Sequence, residues 1–233
     1  ARPGLLLMSI IGVVSLIAGP GTAVAAPPPG CSDQGWLGVW AAAPSDASAG
    51  NDSFDRFDPS DNPKSVLNDA TVRAILTPTF GGSTARVRLS NRFGSGAVTF
   101  RQATIGRRAS EATLVSGTVV PLSFAGRRSI TVAAGDDIVS DPVDITFAAF
   151  DPLAISVYVA GDIGYPTEHY IARQTSYLTL PKAGDHTADT DGGAFTVRTT
   201  SRPLVSGIEV MAPRSTGAVA TLGDSITDGY QGL

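Results

Sequence analysis

The chain has 233 residues, 42% hydrophobic and 16% charged, enough apolar material for a packed core and too little charge for a disordered segment of this length. A formal net charge of −4 with no Lys/Arg-rich stretch argues against a nucleic-acid partner, and one Cys with two His cannot supply the usual four ligands of a structural zinc site. The 26 Gly and 16 Pro suit a turn-rich β protein.

The first residues read as an export signal. Arg2 precedes the uncharged run "LLLMSIIGVVSLIA", whose 14 residues fit a signal h-region and fall short of the ~20 needed for a membrane span. Ala23-Val24-Ala25 forms a small-residue cleavage site, so residues 1–25 read as a signal peptide and the mature chain is expected outside the cell without a stable membrane span. Only Arg2 among the charges is lost with this segment, moving the net charge from −4 to −5. Residues 26–35, "APPPGCSDQG", follow as a linker. Cys31 within it lacks the small or aliphatic residues that precede a lipidated Cys, because Pro28 and Pro29 fill those places, and the sequence offers it no partner.

From residue 36 the pattern becomes β. "ARVRLS" puts Ala85, Val87 and Leu89 on one face and Arg86, Arg88 and Ser90 on the other. "AISVYV", "SITV", "AFTVRT" and "SGIEVM" repeat the alternation around Ile155, Val157, Val159, Ile130, Val132, Phe195, Val197, Ile208 and Val210. Period-2 alternation in short runs predicts strands with one buried face. The turn signals "FGGS", "RFGSG", "AGDD", "AGDIGYP" and "TDGG" separate these runs. Many short strands at this spacing predict a mainly β fold, an antiparallel β-sandwich of jelly-roll type over residues 36–214.

The pattern changes at residues 217–222. "GAVATL" is apolar on both faces apart from Thr221, as in the buried parallel strands of α/β domains. Residues 215–233 therefore read as the start of a second, α/β domain. In such sheets the reactive group sits beyond the C-terminal end of a strand, where Ser225 falls. A serine hydroxyl needs a base to take its proton and donors to hold the oxyanion that follows. The α/β-hydrolase elbow G-x-S-x-G is not matched, because Thr227 stands two residues after Ser225.

The block "GDSITDG" at residues 223–229 resembles the first sequence block of the SGNH, or GDSL, hydrolases, serine esterases and lipases on a flavodoxin-like α/β/α fold. Upstream, "WLGVWAAAP", "VRLSNRFG", "SDPVDI", "ARQTSY" and "AGDH" are similar to the leading β-rich region of secreted actinobacterial members. The resemblance implies that Ser225 is the nucleophile and that its backbone N–H is one oxyanion donor. It implies that Asp224 braces the turn and is not the triad acid. The family's later blocks supply an oxyanion Gly and Asn and an Asp-x-x-His pair. No Asp-x-x-His occurs here: Pro166 stands three residues before His169, and Ala183 three before His186. The resemblance thus implies the leading portion of such an enzyme, inactive alone, with residues 217–233 loosely packed or laid on the sandwich edge. It further implies no metal and no organic cofactor, and an ester substrate drawn from short-chain acyl esters, lipids or acetylated polysaccharide.

Other residues read as structural. Trp36 and Trp40 are expected to anchor the core rather than to form a sugar-stacking platform. Asp52, Asp55, Asp58 and Asp61 form a solvated acidic loop without the spacing of a calcium-binding EF-hand. Asp185 beside His186 reads as a turn. The competing function is a non-catalytic β-sandwich module that binds carbohydrate or packs against a catalytic domain.

Overall fold

The computed structural model describes residues 33–47, 67–170, 172–224 and Thr227. The signal-peptide reading of residues 1–25, Cys31, the acidic loop of Asp52 to Asp61, and Ser225 lie outside the described residues. The described residues are mainly strand, with no α-helix among them. Every pairing is antiparallel.

The smaller of the two main sheets is built from β1 (Gln34–Ala41), β16 (Val205–Pro213), β4 (Gly82–Ser90) and β10 (Val143–Phe147) in that order, with β9 (Asp137–Val139) also on β4. The larger runs β14 (Val197–Thr199), β13 (Ser176–Leu178), β3 (Asn68–Leu76), β11 (Leu153–Asp162), β5 (Val98–Ser110) and β6 (Thr113–Leu114). On the far side of β5 lie β7 (Val120–Pro121) and β8 (Ile130–Val132). A small third sheet joins β15 (Arg202–Pro203), β12 (Thr167–His169) and β2 (Ser45–Asp46).

One main core holds the two large sheets together. Ala85, Val87 and Leu89 of β4, Ile208 and Val210 of β16, Val72 and Ala74 of β3, Phe100 and Ile105 of β5, and Ile155, Val157 and Val159 of β11 are all fully buried in it. These are the inward positions of the alternating runs, and each large apolar side chain contributes about 1.5–3 kcal/mol on burial. The turn signals fall between strands as the sequence predicts. "FGGS" joins β3 to β4, "RFGSG" joins β4 to β5, and "AGDD" joins β8 to β9.

The alternation fails in two places, for different reasons. In "AFTVRT" the strand begins only at Val197, so Phe195 and Val197 do not share a face. Val197 packs against the main core, whereas Phe195 belongs to a second cluster with Ile75, Ala112, Leu114, Ala154 and Tyr177. In β3 and β11 the outward positions are also buried, including Thr71, Arg73, Ala154 and Ser156. The cause is the 179–196 segment between β13 and β14, which lies over the outer face of the larger sheet. It is tied there by Thr179 N to Thr71 O (3.0 Å), Lys182 N to Asn68 O (2.8 Å), Gly184 N to Asp69 O (3.0 Å) and Thr104 Oγ1 to Thr187 O (2.8 Å). Loops of this length without strands of their own are uncommon and carry a role when ordered.

At the end of β16 the chain leaves the sheet. Residues 217–222, expected as a strand, form none: they stand exposed, Val219 at 95% and Leu222 at 102%.

Candidate functional site

The GDS block is described only in part. A side chain on Gly223 would meet Thr227 Oγ1 at 1.9 Å and its Cβ at 2.6 Å, so the turn closes Thr227 directly over Gly223 and only glycine fits there. Asp224 is exposed, and Ser225 falls outside the described residues.

The two histidines are separate. On β12, His169 has its Nδ1 3.0 Å from the carbonyl of Ala43, in the small third sheet. His186 lies in the 179–196 segment. Asp185, its neighbour, accepts hydrogen bonds from the Thr187 N–H (2.9 Å) and hydroxyl (2.7 Å), so the turn read from the sequence is an Asx turn. The partner of His186 is instead Asp189, with Nδ1 2.7 Å from Oδ2. A histidine oriented by a carboxylate is half of a hydrolytic triad. Among the described residues, however, no hydroxyl is hydrogen-bonded to the His186 ring, and Asp189 follows the histidine rather than preceding it. The sequence search for Asp-x-x-His missed this pair because its order is reversed, and "HTAD" is the signal that would have revealed it.

The pair is anchored from beneath by a residue the sequence reading passed over. Arg73 is fully buried in mid-strand on β3. Its Nε donates to Ser156 Oγ (2.9 Å), Nη1 to the carbonyls of Ala112 (2.6 Å) and Asp191 (3.4 Å), and Nη2 to those of Asp189 (2.6 Å) and His186 (3.3 Å). Its guanidinium also stacks 3.9 Å from the centre of the Phe195 ring. Burial pushes the Arg73 pKa down to about 10, against the opposing pull of Asp189 and Asp191. The group remains charged at neutral pH and organises the overlying segment. The signal was a lone arginine inside the otherwise uncharged "ATVRAIL".

Strand register extends this centre outward. Arg198 on β14 pairs with Tyr177 on β13, Tyr177 pairs with Arg73 on β3, and Arg73 pairs with Ser156 on β11. At the Arg198 end of this row, next to the second cluster, opens a cleft of about 230 Å³. Glu111, Thr113, Tyr177, Gly192, Phe195 and Arg198 are among its walls. Arg198 Nη2 meets Glu111 Oε1 at 2.9 Å across its mouth.

A second buried arginine supports the small sheet. Arg202 donates from Nε (3.0 Å) and Nη2 (2.7 Å) to the carbonyl of Ile75, and its guanidinium lies 4.8 Å from the centre of the Trp40 ring. Burial lowers its pKa to about 10. Nearby, the Ser201 hydroxyl donates to the buried Glu168 carboxylate. Trp40 packs against the main core, as expected of an anchor. Trp36 does not: half-buried on the outer face of the smaller sheet, it lies beneath Arg86, 4.3 Å from the ring centre. Arg86 and Arg88 both pair with Glu209 there.

Among the described residues no cluster of three or more His, Cys, Asp or Glu is placed to hold a metal ion. Among them, too, no helix is long and apolar enough to cross a membrane. No family model matches the chain, and a search of the curated proteins finds no match.

Proposed function

We propose that this chain belongs to a secreted serine ester hydrolase of the SGNH type, in which Ser225 attacks the ester carbonyl. The observation that carries the reading is the seven-residue "GDSITDG" block directly after the apolar "GAVATL". Two features of the structure support it. The close approach of Thr227 to Gly223 leaves room for glycine there, as the tight turn of a nucleophile block needs. The apolar residues before it stand in water, and burying Val219 and Leu222 in a sheet is worth about 1.5–3 kcal/mol each. That energy favours a parallel α/β sheet as their place in the working enzyme.

In the mechanism this implies, Ser225 forms an acyl-enzyme and water then releases the acid. The Ser225 N–H holds the oxyanion together with further donors. A histidine with its carboxylate takes the serine proton, supplied by a later Asp-x-x-His block. Residues 1–25 direct export. The sandwich is the leading domain, and the substrate is a short-chain, lipid or polysaccharide-linked acyl ester.

The test is to express the reading frame through its stop codon and measure hydrolysis of p-nitrophenyl acetate beside Ser225→Ala. Turnover lost in Ser225→Ala is the expected result, and an inactive product of the whole frame sinks the esterase reading. The 233-residue chain alone is expected to be inactive, because the triad acts as a unit worth about 10⁶ in kcat. Ser225-dependent turnover by that short chain would overturn the assignment of the base to a later block.

A further inference from the structure

We infer that one end of the sandwich, the end carrying Phe80 and Phe150, is the surface on which the α/β domain begun by residues 217–222 docks. This rests on the reading of that segment as the first strand of such a domain. The first observation is where the chain leaves. β16 runs antiparallel to β4, with Val205 opposite Leu89 and Val210 opposite Ala85, so its last residue, Pro213, lies at the end where β4 begins. β10 finishes at the same end, with Phe147 opposite Gly82, and β3 and β11 meet there through Leu76 and Leu153. The loops 77–81 and 148–152 therefore share this end with the exit of β16. Neighbouring strands lie about 4.8 Å apart, so in the order β16-β4-β10 the exit stands ~5 Å from β4 and ~10 Å from β10. Only residues 214–216 separate Pro213 from the apolar run, a span of ~10 Å at most. The Arg214 N–H donates to the Asp33 carbonyl (2.8 Å) and the Thr216 N–H to the Pro213 carbonyl (2.9 Å), which shortens that tether further. A domain that starts on so short a tether has this end of the sandwich as its nearest neighbour.

The second observation is what stands exposed. Phe80 is 38% exposed and Phe150 69%, and Ala148 and Ala149 beside Phe150 are exposed as well. Of the six large hydrophobic side chains exposed among the described residues, these two phenylalanines and Val219 and Leu222 of the departing segment make four. The two loops form one surface. The Phe150 N–H donates to the Pro78 carbonyl (2.8 Å), and a Cβ on Gly81 would meet the Phe147 carbonyl oxygen at 2.6 Å and Ala148 Cα at 2.9 Å. Asp151, the one charged residue in either loop, has its Oδ2 3.5 Å from Arg107 Nη2. Aromatic side chains beside a neutralised charge match the core of an interface, which is depleted of free charge.

The third observation is strain. Phe150 has φ 66°, a left-handed conformation that a bulky side chain adopts at a cost. The turn that imposes it is closed by the Ala148 N–H to Asp151 Oδ2 (3.0 Å) and by the Asp151 N–H to the Ala148 carbonyl (3.2 Å). In water both features of Phe150 are unfavourable: asparagine or glycine would relieve the backbone, and a polar side chain would suit the exposure. Covering the ring with another apolar surface offsets both. The loops are joined and closed before the partner arrives, so little freedom is lost on docking.

The experiment is hydrogen exchange read by mass spectrometry on the 233-residue chain and on the product of the reading frame through its stop codon. Peptides covering 77–82 and 148–152 are expected to exchange about tenfold more slowly in the longer product. Phe150→Asn, which suits both the left-handed backbone and water, is expected to raise the Tm of the 233-residue chain by about 2–4 °C. In the longer product the same substitution should return the exchange of 77–82 to the rate of the short chain. Phe80→Ser, a second exposed change, carries the same expectation for 148–152. Ser225-dependent hydrolysis of p-nitrophenyl acetate by the same product separates this proposal from the esterase reading. Turnover with unchanged exchange overturns the docking and leaves the esterase standing. Protection that both substitutions abolish, without turnover, upholds the docking and sinks the esterase. Protection that survives both substitutions, or that appears in the 233-residue chain as its concentration rises, overturns the docking, and so does a lowered Tm for Phe150→Asn in the short chain.

Discussion

Replacing Arg73 by alanine should detach the 179–196 segment from the sheet beneath it. The side chain is fully buried and donates to one hydroxyl and four backbone carbonyls, three of which belong to that segment. A charged hydrogen bond contributes about 1.5–3 kcal/mol and a neutral one about 0.5–1.5, but the cost of burying the guanidinium cancels much of the sum. The truncation leaves carbonyls without donors and a cavity against Phe195. Carbonyls on the overlying segment can recover water if it lifts, so the net loss should be about 3–5 kcal/mol, the range for breaking a buried charged network. For a domain of this size that is a fall of about 6–20 °C in Tm. Urea unfolding followed by circular dichroism measures the global loss, and amide exchange in residues 179–196 measures the local one. Arg73→Lys should recover less than half, because an ammonium cannot span five acceptors spread around a planar fork. If Arg73→Ala costs under about 1 kcal/mol while the amides of 179–196 stay protected, the arginine is not what holds the segment and the reasoning fails.

Three further outcomes follow from the same structure. Arg202→Met should cost about 1–3 kcal/mol, since the Ile75 carbonyl loses both its guanidinium donors, and should shift tryptophan emission through Trp40; unchanged stability and emission would refute this. Asp141 accepts from the Gly126 N–H, the Ser123 hydroxyl and the Ala125 N–H, which hold its carboxyl below the ordinary 3.8. Its contribution is therefore present above pH 3.8 and is lost as pH falls through the lower folded value; Asp141→Asn should flatten the loss of urea resistance below that pH, and equal slopes would count against it. Ala125 and Gly126 both have positive φ, 50° and 77°, in a two-residue hairpin turn of the kind that favours Asn-Gly. Ala125→Asn should accordingly raise stability by about 0.5–1 kcal/mol in the same urea assay, and a loss would show that the turn tolerates alanine without strain.

The sequence determined the parts of this protein that depend on short-range pattern. Alternation in "ARVRLS", "AISVYV" and "SGIEVM" specified β4, β11 and β16 and their inward faces, because side chains on a strand alternate whatever the partner strand is. Glycine-rich turns were legible for the same local reason, and so was the GDS block as a motif. Pattern could not say that β3 and β11 would be covered on both faces. That depended on where the 179–196 segment lies, and its path is fixed by hydrogen bonds to Thr71, Thr104 and Arg73, between 83 and 118 residues away in sequence. The role of Arg73, the His186–Asp189 pair and the cleft beside Tyr177 follow from that covering. An arginine at an outward strand position reads as solvated until tertiary structure closes over it. Once closed over, the cost of burying its charge makes every one of its donors seek an acceptor, and the acceptors it finds set the shape of the surface above.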